Sequence, residues 1–158
     1  MAQEIERKFL VIGDAWRNQA SSSVHFRQGY LADAAKCSVR VRVSDDKGYL
    51  NLKSATLDIK RTEYEYEIPK HDAEEMLARF CEYPLIEKTR HYVRYADHLW
   101  EIDVFAGANA GLVVAEIELD DIDESFSRPG WLGQEVSNDP RYYNVCLVKH
   151  PFKDWGKP

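Results

Sequence analysis

Residues 37–54, CSVRVRVSDDKGYLNLKS, decide the fold, because polar and apolar side chains alternate on both sides of a turn sequence. In a β-strand, side chains two residues apart share a face. Arg40 and Arg42 are therefore expected on one face, and the valines around them on the other. Residues 45–48 (Asp-Asp-Lys-Gly) have the composition of a hairpin turn. The stretch predicts two antiparallel strands, each with one polar and one apolar face.

The same alternation recurs along the chain. Val, Ile, Leu, Tyr and Phe alternate with charged residues in runs bounded by turn residues, which is typical of strands with two unlike faces. The predicted strands are residues 3–11, 25–32, 37–44, 48–55, 61–68, 86–95, 98–105 and 112–119. This number of strands, with few helices, predicts a mainly β (α+β) fold, either a closed antiparallel barrel or a sandwich.

Helical spacing is rarer in this sequence. Residues 71–81 carry apolar side chains on one helical face, and Asp72 followed by Glu75 resembles a capping box. Shorter helices are expected near 14–20, 121–127 and 140–147.

Composition limits the classes of function. The 158 residues favour one domain over residues 1–158, with a tail from about 150 to 158 that is either mobile or docked on the surface. A formal net charge of −6 argues against a general nucleic-acid binder but permits a locally basic cleft. No apolar run is long enough for a membrane span. Three widely separated cysteines and a charged N-terminus favour a cytoplasmic protein with reduced thiols.

The charged faces of the predicted strands carry both signs. Solvent exposure is the ordinary explanation for one such face. These faces contain little Ser, Thr or Gln, however, and the apolar faces need a cover that few helices can supply. The alternative is a barrel whose charged faces converge inward, while the apolar faces pack on peripheral helices. A narrow interior filled with charges is costly unless they pair or bind a ligand.

The mixture of charges indicates what such an interior could bind. Arginine matches phosphate oxygens with a planar fork, and lysine contributes a point charge. Carboxylates are ligands for hard divalent cations such as Mg²⁺. The cations are Lys8, Arg40, Arg42, Lys53, Arg61, Lys88 and Arg90. The carboxylates are Glu4, Glu6, Glu63, Glu65, Glu101, Asp103, Glu116 and Glu118. A polyphosphate together with Mg²⁺ or Mn²⁺ would neutralise both sets.

Ordered motifs extend over nearly the whole chain. The first is Glu4-Ile5-Glu6-Arg7-Lys8, with the pattern ExExK. The others are RQGYL (27–31), VRVR (39–42), LKS (52–54), EYE (63–65), EKTR (87–90), EIDVF (101–105), AEIE (115–118), GQEV (133–136) and RYYN (141–144). In this order they resemble the CYTH proteins, also known as triphosphate tunnel metalloenzymes, and in particular the short bacterial type.

The resemblance implies a closed eight-stranded antiparallel tunnel with charges inside, and metal-assisted hydrolysis of a terminal phosphoanhydride bond. For the short bacterial type, inorganic triphosphate is the favoured substrate. The implied metal site consists of Glu4, Glu6, Glu116 and Glu118, with Asp103 close by. Glu63 and Glu65 would hold a second metal ion or orient the basic residues. The cofactor expected is Mg²⁺ or Mn²⁺.

Further roles follow from the same resemblance. The phosphate clamp consists of Lys8, Arg40, Arg42, Lys53, Lys88 and Arg90, and Arg61 is either a further phosphate ligand or the partner of a neighbouring glutamate. Glu4, Lys8, Lys88 and Tyr30 are the expected catalytic residues. Tyr30 either points into the tunnel, towards Lys8 or a leaving-group oxygen, or simply packs in the barrel. Glu67 and Glu101 are set aside because they fall near predicted strand ends.

Several functions remain open at this stage. An adenylyl cyclase or a thiamine or nucleoside triphosphatase could use the same tunnel. A polyphosphate-binding module without turnover, and a structural β-domain with solvated faces, are the non-catalytic alternatives. The expected partner is a small triphosphate, without nucleic acid or membrane, and the oligomeric state is open.

Overall fold

Nine strands and two helices form the regular structure of the computed structural model, which describes residues 3–156. The strands are β1 (Gln3–Val11), β2 (Ala20–Asp33), β3 (Cys37–Val43), β4 (Gly48–Ser54), β5 (Lys60–Ile68), β6 (Ile86–Tyr95), β7 (His98–Phe105), β8 (Val113–Glu118) and β9 (Leu132–Glu135). The helices are α1 (Lys70–Arg79) and α2 (Asn144–Leu147). Short 3₁₀ turns occur at Ala15–Gln19, Gly107–Asn109, Pro140–Tyr142 and Phe152–Asp154.

The sheet closes on itself. Its strand order is β5-β4-β3-β2-β6-β7-β8-β1-β9, and β1 also pairs with β5, so eight strands form a ring with β9 attached outside it. β8 runs along one edge of β1, whereas the other edge pairs with β5 near residues 3–5 and with β9 near Phe9 and Val11. All of these pairings are antiparallel. The predicted closed eight-stranded antiparallel fold is confirmed.

The register brings the charged faces together inside the ring. Lys8 pairs with Glu116 across β1 and β8, Lys53 pairs with Glu63 across β4 and β5, and Arg90 pairs with Asp103 across β6 and β7. Because paired residues point to the same side of a sheet, each strand continues the charged face of its neighbour. The expectation that the charged faces converge inward is confirmed.

The apolar faces form the outer core. Phe9 and Trp100 are fully buried there, and they pack with Trp131 and the Trp16 of the 3₁₀ turn. α1 covers the opposite wall, where its Ala73 and Leu77 pack on Val41 and Val43 of β3. Within residues 3–156, α1 is the one helix of more than one turn that covers the sheet, and 3₁₀ turns and loops cover other parts of the outer face, while Tyr64 and Tyr66 of β5 stay exposed.

One end of the ring interior is apolar rather than charged. Ile86, Phe105 and Val114 continue the inward faces of β6, β7 and β8, and they pack on Leu147 of α2. Phe152 and Trp155 pack against the same cluster, so the tail is docked as far as Trp155. Residues 157 and 158 lie outside the described part of the chain. The C-terminal segment thus closes this end of the barrel with apolar side chains.

The local sequence rules fail at four places. Strand β2 begins at Ala20 rather than at residue 25, and β9 was not predicted. The expected capping box is wrong: α1 begins after Pro69, and no side chain caps it. The helix expected at 121–127 is wrong as well, because Asp121 and Glu124 accept hydrogen bonds from nearby backbone amides, which competes with helix formation.

The other helix predictions fare better. The short helix expected near 14–20 is the 3₁₀ segment Ala15–Gln19, and the one expected at 140–147 divides into a 3₁₀ turn and α2. Within residues 3–156, no helix is long and apolar enough to cross a membrane.

Candidate active site

The ring encloses a cavity of about 630 Å³ whose wall is mainly charged. Every site residue predicted from the sequence lines it except Asp103, which is fully buried beneath two of the cations. The lining cations are Lys8, Arg40, Arg42, Lys53, Arg61, Lys88 and Arg90. The lining carboxylates are Glu4, Glu6, Glu63, Glu65, Glu101, Glu116 and Glu118. Tyr30 also faces this cavity.

Three carboxylates form a group of their own. Glu4 and Glu6 are two residues apart on β1, and Glu118 pairs with Glu6 from β8. One oxygen from each lies within 4.8 Å of the others. Burial raises the pKa of Glu6 well above its usual range, and the nearby Glu116 raises it further. Burial, followed by repulsion from Glu101 and Glu4, raises the pKa of Glu118 to about 7.

This group fits a hard divalent cation. Such an ion takes carboxylate oxygens as ligands, and its charge would relieve the repulsion that raises these pKa values. The pKa of Glu4 is also raised by burial, although Lys53 partly opposes the shift.

Glu116 lies beside the group but is engaged differently. Lys8 Nζ donates a hydrogen bond of 3.1 Å to Glu116 Oε1, and Arg90 Nη2 lies 3.8 Å from the same oxygen. Burial alone would raise the pKa of Glu116, but Lys8 and a hydrogen bond from Glu6 hold it well below its usual range. Glu116 is therefore a buried anion that already has cationic partners.

Asp103 anchors two cations. It accepts hydrogen bonds from Lys88 Nζ at 2.8 Å, and from Arg90 Nε and Nη2 at 2.8 and 3.0 Å. Burial opposes its ionisation, but Arg90 and Lys88 lower the pKa of Asp103 to about 2. Burial lowers the pKa of Lys88 to about 7, because repulsion by Arg90 and Arg42 offsets much of the attraction to Asp103. The structure groups Asp103 with these cations, not with Glu4, Glu6 and Glu118.

Lys53 joins the acidic group to Glu63 of the neighbouring strand β5. Its Nζ lies 3.0 Å from Glu4 Oε2 and 3.2 Å from Glu63 Oε2. Burial lowers the pKa of Lys53, but Glu6 and Glu4 outweigh it, and the net shift is upward. Glu65 lies further away, 3.8 Å from Arg40 Nη2.

Two arginines of the cavity have neutral partners. Arg42 Nε donates to Gln28 Oε1 at 2.8 Å, and Arg61 Nη2 donates to the backbone oxygen of Ser54 at 2.8 Å. Among residues 3–156, neither forms an ion pair with a carboxylate, so the alternative of an Arg61–glutamate pair is not observed there. The buried Nε atoms of Arg40 and Arg61 have no hydrogen-bond partner in the described chain. Arg40 and Arg61 thus keep donors available for an anion.

The structure also adds residues that the sequence reasoning missed. Glu101, which was set aside, lies 2.6 Å from Arg90 Nη1 and lines the cavity. The sequence did indicate it, because Glu101 is two residues from Asp103 on β7 and therefore shares its inward face. Lys8 Nζ lies 5.1 Å from the ring centroid of Tyr143. Among residues 3–156, Lys8 Nζ donates to Glu116, and no hydrogen bond joins Lys8 to Tyr30. Tyr143 and Asn144 reach the cavity from beyond the sheet, and no strand pattern could have indicated them.

Comparison with known proteins agrees with this geometry. The sequence profile of the CYTH domain matches residues 2–143. The chain belongs to the CYTH family. This CYTH protein is 50% identical over 155 residues to an inorganic triphosphatase of Acetivibrio thermocellus, covering 98% of this chain and 99% of the relative. It is 37% identical to an inorganic triphosphatase of Nitrosomonas europaea, covering 92% and 96%.

Solved structures show the same fold. A crystal structure of an inorganic triphosphatase superimposes on the CYTH protein with a TM-score of 0.67 and 36% sequence identity, covering 92% of this chain and 97% of the other. A protein from Hippeastrum, described as a candidate adenylyl cyclase with a dominant triphosphatase activity, gives a TM-score of 0.62 at 17% identity, covering 75% and 80%. At that identity the likeness concerns the fold alone.

Proposed function

We propose that this CYTH protein is a metal-dependent triphosphatase that hydrolyses a terminal phosphoanhydride bond, and that its substrate is inorganic triphosphate. The observation that carries the proposal is a cavity in which a set of buried cations faces a separate group of three carboxylates. Inorganic triphosphate presents only charged oxygens, and a predominantly charged wall matches such a ligand. Two relatives, 50% and 37% identical over most of this chain, are named inorganic triphosphatases.

The cations are the proposed phosphate clamp. Arginine and lysine groups fixed before the substrate arrives stabilise charge on the transferring phosphoryl group without a cost of reorganisation. The clamp consists of Lys8, Arg40, Arg42, Lys53, Lys88 and Arg90, with Arg61 as an additional member. The case for Arg61 rests on its position on the cavity wall and its unpartnered Nε.

The carboxylates are the proposed metal site. Glu4, Glu6 and Glu118 would hold Mg²⁺ or Mn²⁺, which when bound polarises phosphate oxygens and neutralises part of their charge. Glu63 and Glu65 would serve a second ion or orient Lys53 and Arg40. Glu116 and Asp103, first assigned to the metal site, fit better as anchors of Lys8, Lys88 and Arg90.

The chain's own groups would do the remaining work. Glu4, whose pKa is raised by burial, orients the attacking water and accepts its proton. Lys8 and Lys88 stabilise the charge that develops on the phosphate oxygens. Tyr30 donates a hydrogen bond to a leaving-group oxygen from its place on the cavity wall.

We further propose that residues 1–158 act as one unit in the cytoplasm, with a small triphosphate as partner and no nucleic acid or membrane. The segment after the sheet supports one unit, because Tyr143 and Asn144 reach the cavity from it. Three free cysteines fit a reducing compartment.

Phosphate release from inorganic triphosphate, thiamine triphosphate and ATP tests the proposal, in the presence of Mg²⁺, Mn²⁺ or EDTA. We expect metal-dependent release, fastest from inorganic triphosphate. Lys53→Ala should abolish it, whereas Lys60→Ala, which removes an exposed lysine from β5, should leave it intact. No release from any substrate by the folded protein would refute the proposal, and formation of cyclic AMP from ATP would favour the cyclase instead.

A further inference from the structure

Two neutral amide side chains lie between two cations of the cavity. Gln28 Oε1 accepts a hydrogen bond of 2.8 Å from Arg42 Nε. Gln28 Nε2 donates to Asn144 Oδ1 at 3.3 Å, and the same oxygen accepts a bond of 3.1 Å from Lys88 Nζ. The chain of bonds runs from β3 through β2 and α2 to β6. We refer to Gln28 and Asn144 as the amide pair.

The amide pair differs from the anchors of the other cations. Lys8 pairs with Glu116, Lys53 with Glu4 and Glu63, and Arg90 with Asp103 and Glu101. Each of these cations must share its charge with a carboxylate. Arg42 has no such partner within residues 3–156, and Gln28 holds it through a group without net charge.

The geometry leaves the phosphate-binding end of Arg42 available. Nε is one of the five N–H donors of a guanidinium group, so the two terminal nitrogens keep four donors. The guanidinium carbon lies 4.2 Å from the ring centroid of Phe26, which supports the plane of the group from one side. Arg42 lines the cavity, and Gln28 is fully buried and is not part of the cavity wall. Gln28 therefore acts on a ligand only through its neighbours.

Lys88 is held in a comparable way. An ammonium group has three donors. One goes to Asp103 Oδ2 and one to Asn144 Oδ1, which leaves one for a ligand. A second carboxylate in place of Asn144 would satisfy the same hydrogen bond, but it would also cancel the positive charge that remains at this place.

We propose that Gln28 and Asn144 are positioning residues, which hold Arg42 without any anionic partner and hold Lys88 without a second anion beside Asp103, so that both cations can bind phosphate. The inference rests on the proposed function and adds to it the residues that set the affinity for the triphosphate. A merely structural role predicts instead that any replacement preserving shape and hydrogen bonds is without effect on substrate binding.

Asn144→Asp and Gln28→Glu separate these possibilities. Asp at residue 144 keeps an acceptor for both donors, and Glu at residue 28 keeps the acceptor for Arg42, but each adds a negative charge. We expect the KM for inorganic triphosphate to rise about ten-fold in each, because the added negative charge repels the triphosphate and offsets the charge of the cation beside it. The half-saturating Mg²⁺ concentration should not change, because the proposed metal site lies elsewhere in the ring.

Gln28→Met and Asn109→Asp complete the set. Met removes the hydrogen bonds without adding charge, and should raise KM through loss of positioning. Asn109 is the matched control: it is as buried as Gln28, and its Oδ1 accepts a hydrogen bond from the Phe152 backbone away from the cavity. Asn109→Asp should leave KM unchanged.

The result that overturns the inference is a wild-type KM in folded Asn144→Asp and Gln28→Glu. Each of these two variants is decisive alone if the other does not fold. A wild-type protein that shows no turnover would instead refute the proposed function. The amide pair is then tested by the calorimetric Kd for inorganic triphosphate with Mg²⁺, which should rise about ten-fold in both variants.

Discussion

The two ends of the charged interior differ in how their charges are compensated. At one end, Glu4, Glu6 and Glu118 face one another, and their pKa values are raised by burial and by neighbouring carboxylates. At the other, Asp103 binds two cations and its pKa is lowered to about 2. The first arrangement is unfavourable without a cation, whereas in the second the charge of the carboxylate is compensated by the protein alone. A cluster of charges inside the ring thus indicates a ligand site where its members repel, and an anchor where they pair.

The largest effect is expected from Glu6→Gln, which removes a carboxylate from the uncompensated end. Activity should fall on the order of 10²-fold or more, since even residues that only support metal ligands cost up to that much. Stability to urea should be unchanged or higher, because burial and Glu116 both disfavour the charge on Glu6.

Glu67→Gln is the matched control, because Glu67 is exposed on β5 and pairs only loosely with Lys47, at 3.8 Å. It should change neither activity nor stability. A Glu6→Gln variant that is as active as Glu67→Gln would show that this end needs no third carboxylate.

Asp103→Asn tests the compensated end. It leaves Lys88 and Arg90 buried without their shared anion, which we expect to lower the free energy of unfolding by roughly 3–5 kcal/mol. Activity should fall as well, because both cations lose their position. Urea denaturation followed by tryptophan fluorescence measures the first effect, and phosphate release measures the second.

The exposed pair of Asp139 and Arg141, 2.7 Å apart, provides the comparison. Asp139→Asn should cost at most about 1 kcal/mol, since exposed ion pairs contribute little. Equal losses in the two variants would contradict the distinction between an anchor and a surface pair.

The smallest effect is a pH dependence of stability in EDTA. The pKa of Glu118 is raised from its usual value of 4.5 to about 7, mainly by burial. Between those pH values the folded state binds more protons than the unfolded state, so stability falls as pH rises through this window. Thermal unfolding at a series of pH values should show this slope.

Glu118→Gln should flatten the slope, and saturating Mg²⁺ should raise the Tm of the wild type most at the upper end of the window. A wild-type slope that persists unchanged in Glu118→Gln would assign the effect to other groups.

The sequence predicted the location of each charge well, because strand parity is local. Arg40 and Arg42 are two positions apart whatever the rest of the chain does, and the inward direction of one fixes that of the other. The bounds of β1, β6 and β7 were also predicted correctly from alternation and turn residues. Prediction failed where neighbouring side chains compete for the backbone, as at residues 121–127.

The tertiary structure decided which carboxylates anchor cations and which remain available for a ligand. Sequence reasoning placed Asp103 and Glu116 near the metal, but the register of β6, β7, β8 and β1 sets them against Lys88, Arg90 and Lys8. Glu101 falls near a strand end in the sequence, yet the neighbouring strand β6 places Arg90 Nη1 2.6 Å from Glu101 Oε2. Strand stagger and ring closure fix these distances, and neither is encoded in any single segment.

What the sequence determined by itself is therefore the inventory of the interior: which side chains face inward, and of which sign. Only the tertiary structure decided which of them are neutralised by partners and which remain for a ligand. Gln28 and Asn144 are 116 residues apart in sequence, and their hydrogen bond exists because the chain returns to close the barrel. Parity depends on neighbouring residues, whereas charge compensation depends on distances between strands and segments that meet only in the folded protein.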